Sequence, residues 1–188
     1  MPVDLPGHLP ESGPMVSDEE TVLLSATTLA RLYSGVLHHA GMPAEDAALA
    51  ADTMVDADLR GVHSHGATWI PIYVKALRAG WIKSQPNIRI VKEHGPVATV
   101  DGDNGMGQLA SIAGMKLAIE KAKQHGIGMV SVRRSNHNGA MAYYVEMAVR
   151  NDLIGFTATN GGAIMGPVGG ISPRLGSCLL YTSDAADE

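Results

Sequence analysis

The chain has 188 residues and a mass of 19.7 kDa, enough to bury a core without covalent staples, and its single cysteine, Cys178, excludes an internal disulfide framework. Hydrophobic residues make up 45% and charged residues 18%, a globular composition, while a formal net charge of -5 argues against a phosphate backbone or an anionic membrane as partner. No apolar run reaches the ~18 residues needed to span a bilayer, and no secretory leader is legible, so the expected location is the cytoplasm.

Residues 1–20, with four prolines and an acidic Asp18-Glu19-Glu20 run, read as a flexible tail. Ser25 is placed to cap a first helix whose apolar positions Leu29, Leu32, Tyr33, Val36 and Leu37 follow helical spacing to Gly41. Pro43 opens a second helix with an alanine stripe, Ala47, Ala50 and Ala51, that predicts close packing and a stop at Gly61. A third helix is expected from about Pro71 to Ala79, closed by Gly80. Residues 21–85 are therefore read as a helical domain.

From residue 86 the texture changes. Ile88–Val91 and Val97–Val100 read as strands about the His94-Gly95-Pro96 turn. A long helix with Ile112, Met115, Ile119 and Ala122 on one face runs to Gly126, and a strand follows over 127–132. Another helix with Met141, Tyr144, Val145 and Ala148 inward, and a strand over 153–159, complete an α/β alternation across 86–177.

Three segments carry candidate chemistry. Arg60-Gly61-Val62-His63-Ser64-His65-Gly66 puts two imidazoles and a hydroxyl on a glycine-flanked loop; it suits acid/base work, backbone capping, or, with Asp58, metal ligation, although no further ligand stands at a recognisable spacing. Ser135-Asn136-His137-Asn138-Gly139 lies between a strand and a helix, where Ser135 or Asn138 could cap the helix and leave His137 solvated. Gly105-Met106-Gly107-Gln108-Leu109-Ala110 imitates a dinucleotide fingerprint, but Asp101–Asn104 intervene between strand and glycine and add two carboxylates, which argues against a Rossmann site. A serine hydrolase reading of Ser64 and His65 lacks a Gly-x-Ser-x-Gly elbow. A non-catalytic small-ligand or assembly module is the remaining alternative.

Taken together, Asp58–Gly66, Pro71-Ile72-Tyr73, Asp101-Gly102, Gly107-Gln108, Ser135-Asn136-His137, Pro167 and Gly169-Gly170 resemble the non-Rossmann malate/L-lactate dehydrogenase family, which includes sulfolactate, ureidoglycolate and diketogulonate oxidoreductases. The resemblance runs from about Ala26 to Ser177. It implies an α+β or α/β architecture in which a helical domain precedes a non-Rossmann α/β nicotinamide-binding domain, usually in a homodimer. It implies NAD or NADP as cofactor and a small 2-oxo or 2-hydroxy acid as substrate, while the charge balance and the lack of a long apolar run lead us to expect no nucleic acid or membrane partner. Within it, His65 maps to the proton donor or acceptor with Ser64 beside it, His137 lines the same pocket, and Asn160 and Gly161 approach the cofactor.

Two departures stand out. Trp69 occupies the place where many relatives carry a carboxylate-clamping arginine, leaving Arg60, Arg133 and Arg134 as candidate replacements. Residues 178–188 resemble a translated adapter peptide, so the α/β domain is expected to be truncated, the fragment alone inactive, and apolar surface left uncovered.

Overall fold

A computed structural model of the chain describes residues 22–165, 172 and 175–183. The expected tail at 1–20 and the motif positions Pro167, Gly169 and Gly170 lie outside the described residues.

Helix α1 (Ala26–His39) starts where Ser25 Oγ accepts the Thr28 amide at 3.2 Å. Gly41, at φ +109, turns the chain into α2 (Ala44–Leu59), where Pro43 takes the capping place just before the helix. The alanine stripe is buried as expected: Ala47 and Ala50 have no exposed surface, and their lack of bulk lets α1 bring Tyr33 and Leu37 against α2. Two short 3₁₀ turns, His63–His65 and Ala67–Trp69, lead into α3 (Ile70–Arg78), with Pro71 in its first turn. Tyr73 and Leu77 of α3 join the same core, which also takes in Met106 and Leu109 from beyond the first strands. The helical layer therefore packs directly on the α/β part.

Strands β1 (Arg89–His94) and β2 (Val97–Asp101) form an antiparallel hairpin, from Arg89 opposite Asp101 to His94 opposite Val97, with a bulge between Ile90 and Lys92. Helix α4 (Gly107–His125) ends at Gly126 in the left-handed region and crosses over to β3 (Met129–Arg133), which pairs parallel to β2. A Cβ at Gly114 would press on Val132 and lie close to Val130, so α4 covers one face of this three-stranded sheet, ordered β1-β2-β3.

Helix α5 (Ala142–Val149) buries Tyr144, Val145 and Ala148, with Met141 also buried at its start, as the spacing predicts. The α/β alternation does not continue into one sheet, however. Strand β4 (Gly155–Met165) leaves the first sheet and pairs antiparallel with β5 (Leu175–Ser183). A strand's apolar pattern specifies which face is covered and not which edge it joins. Part of the segment expected to be foreign to the family is in β5, with Cys178 opposite Asn160 and Thr182 opposite Phe156. Such pairing uses main-chain groups and asks for no particular side chains. Among the described residues no helix is long and apolar enough to cross a membrane.

Candidate functional site

The loop carrying His65 is tied down by Asp58, near the end of α2. The Tyr33 hydroxyl of α1 donates to Asp58 Oδ2 at 2.8 Å, His63 Nδ1 donates to Oδ1 at 3.0 Å, and the Ala67 amide reaches Oδ2 at 3.1 Å. Gly66 is buried against that carboxylate, and a Cβ there would collide with it. Asp58 is thus consumed as an anchor, and among the described residues no three His, Cys, Asp or Glu side chains gather to hold a metal. The anchoring turns Ser64 Oγ to within 3.0 Å of His65 Nδ1 and leaves the half-buried His65 ring facing the second loop.

That second loop, after β3, is pinned to the turn before α4. Asn136 Nδ2 donates to the carbonyls of Asn104 at 3.1 Å and Gly105 at 2.9 Å. At Gly107 the chains approach so closely that a Cβ would overlap the carbonyl oxygens of Asn136 and His137. The glycines that imitate a dinucleotide fingerprint therefore serve to let one backbone lie on another. Ser135 and Asn138 do not cap α5: Ser135 Oγ donates to the Asn136 carbonyl, and Asn138 Nδ2 to Ser111 Oγ at 3.3 Å.

His137 is not solvated. Its ring lies parallel to Trp69, with centroids 3.8 Å apart and a 9° interplanar angle, and stacks on His65 at 5.6 Å and 27°. Its Nδ1 is 2.7 Å from the Tyr73 hydroxyl, which accepts a hydrogen bond from Gln108 Nε2 at 2.8 Å. Burial, reinforced by the neighbouring His65, pushes the His137 pKa from 6.5 down to about 4, so the ring is neutral near pH 7. Burial likewise raises the Tyr73 phenol well above its ordinary value and keeps it protonated.

Imidazoles from two loops 72 positions apart are thus brought together, with His137 stacked on His65 and packed against Trp69 and Tyr73. Among the described residues the three candidate replacements for a carboxylate clamp are engaged elsewhere: Arg60 pairs with Asp56 and Glu146, while Arg133 and Arg134 share Asp101. Asn160 and Gly161 are exposed on β4 and make no side-chain hydrogen bond to either imidazole. Sequence reasoning missed the roles of Tyr73 and Gln108. The available signal was Tyr73 lying four residues after Trp69, on one face of the entry to α3.

Against this geometry, known proteins offer close likenesses. The sequence model of the malate/L-lactate dehydrogenase family matches residues 24–178. L-Sulfolactate dehydrogenase of Methanocaldococcus jannaschii is 46% identical over 147 residues, covering 78% of this chain and 43% of that protein. Ureidoglycolate dehydrogenase (NAD(+)) of Escherichia coli K12 is 36% identical over 82% of this chain and 44% of its own length. The solved structure of malate dehydrogenase from Pyrococcus horikoshii OT3 superposes with a TM-score of 0.85 at 40% identity, covering 89% of this chain and 48% of that one. The chain spans about half the length of the relatives it matches.

Proposed function

Because the chain belongs to the malate/L-lactate dehydrogenase family, we propose that it forms the acid-binding half of a nicotinamide-dependent oxidoreductase acting on a small 2-hydroxy or 2-oxo acid. The observation that carries this reading is the meeting of His65 and His137, from separate loops, inside an aromatic wall. Reduction of a ketone leaves charge and a missing proton on one oxygen, and an imidazole beside that oxygen meets both needs. In this proposal His65 exchanges the proton with the substrate oxygen, and Ser64, 3.0 Å from its Nδ1, holds the ring. His137, neutral and shielded by Trp69, fixes the substrate on the other side.

A bound nicotinamide would supply the hydride. Asn160 and Gly161 are the residues proposed to approach it. They fit a flat ring: both are exposed, and a Cβ built at the adjacent Gly162 meets nothing within 4 Å. NAD or NADP as cofactor, a homodimer and a cytoplasmic location belong to the same proposal. With Arg60, Arg133 and Arg134 each paired to a carboxylate and with Trp69 in the wall, the reading favours an acid whose substituent is apolar or planar. A hydrolase is disfavoured, since among the described residues no carboxylate hydrogen-bonds His65 to orient it.

The test is reduced-nicotinamide absorbance with a panel of 2-oxo acids, using protein expressed from the complete gene. His65→Ala is expected to cut turnover by a factor on the order of 10² or more with folding intact. Near wild-type turnover would remove His65 from the chemistry.

A further inference from the structure

The contacts around Tyr73 determine more than its position. Its hydroxyl is buried, with the residue 1% exposed, and has two polar neighbours, Gln108 Nε2 and His137 Nδ1. An amide nitrogen can only donate, so the phenol oxygen accepts from Gln108. The phenol still has one hydrogen to place, and His137 Nδ1 at 2.7 Å is the remaining partner. Were His137 to donate through Nδ1 instead, the phenol oxygen would receive two donors and its own hydrogen would be stranded in the core, a loss comparable to an unmade buried hydrogen bond.

We infer that Gln108, acting through Tyr73, is a positioning residue that locks His137 in the tautomer with a bare Nδ1 and a hydrogen on Nε2. Gln108 has no exposed surface, and its Oε1 has no hydrogen-bond partner. Leaving that oxygen unpaired is costly in a core. The relay explains the cost: turning the amide over would satisfy nothing on Nε2's behalf, would offer Oε1 to the phenol hydrogen, and would drive the opposite tautomer on the imidazole. The direction of one buried amide therefore decides whether the free nitrogen of His137 donates or accepts. Its meaning for catalysis rests on the dehydrogenase reading above, where an Nε2 hydrogen supplies a donor to a substrate oxygen. The tautomer itself does not depend on that reading.

The experiment is ¹⁵N NMR of the histidine-labelled 188-residue chain at pH 7, using long-range proton–nitrogen correlations, with His137 assigned from the signal lost in His137→Asn. The expected pattern is a protonated Nε2 and an unprotonated Nδ1. A protonated Nδ1, or shifts averaged between the two forms, overturns the lock. Gln108→Met removes the donor at similar volume, so the phenol can accept from His137 or donate to it and averaged shifts are expected; an unchanged pattern removes Gln108 from control. Should that substitution prevent folding, Tyr73→Phe cuts the relay and is expected to give averaged shifts, while an unchanged pattern overturns the inference. The correct tautomer in a protein that never oxidises reduced nicotinamide would refute the dehydrogenase reading and leave this one standing.

Discussion

Asp101 closes strand β2 and His137 follows strand β3, its parallel neighbour, yet the two side chains meet opposite circumstances. Asp101 has no exposed surface. Its Oδ1 accepts the Asp103 amide at 2.9 Å, and its Oδ2 takes Arg133 Nη2 at 2.9 Å and Arg134 Nη1 at 3.4 Å. The Asp103 amide, helped by the two guanidiniums and opposed by burial, holds its carboxyl below the ordinary carboxylate range. His137 shares its burial among aromatic rings and has one hydrogen-bond partner. A buried carboxylate whose acceptors are all engaged holds the loop in place, and a cluster with capacity left over is where a ligand can be met.

The comparison can be broken most severely at Gly107, because both the histidine loop and α4 depend on that close approach. Gly107→Ala is expected to cost about 3 kcal/mol in urea denaturation, since the methyl meets backbone that cannot rotate away. A neutral result would mean that the loop is not pinned there.

Acid should separate the two clusters by window. His137 titrates near 4 when folded and 6.5 when unfolded, so between these values the unfolded chain holds more protons and stability falls as pH drops from 6.5 toward 4. Asp101 has a depressed folded value, so its contribution is present above 3.8 and is lost as pH falls below that. His137→Asn is expected to flatten the first decline in denaturation midpoint and Asp101→Asn the second. If either substitution flattened the other's window, the clusters would be coupled.

The smallest effect is expected at the stack itself. Trp69→Ala removes an aromatic neighbour worth about 1 kcal/mol and admits water, so the His137 titration, followed by NMR, should move up from about 4 toward 6.5.

Much of this was readable from the residues alone, for identifiable reasons. Ser25, Gly41 and Gly126 mark helix ends through local backbone and capping preferences, which need no tertiary knowledge. His65 and His137 were found through their loop motifs. The family resemblance put both in one pocket, but their ring stacking was not legible, because no local pattern encodes a contact between positions 72 apart. The fate of Arg133 and Arg134 was hidden for the same reason: a basic pair looks free until Asp101 is brought opposite it across the parallel register. The departure of β4 into a second sheet was illegible because its alternation suits either edge equally.

Among the described residues the three-stranded sheet has two unlike borders. Along β1 the border carries Arg89, Lys92, Glu93 and His94 and a bulge, features that discourage another extended chain from zipping on. Along β3, Met129-Val130-Ser131-Val132 presents a regular border with charge only at Arg133. If copies of this polypeptide aggregate at high concentration, they would do so through β3, and a lysine at Ser131 would be the place to guard it.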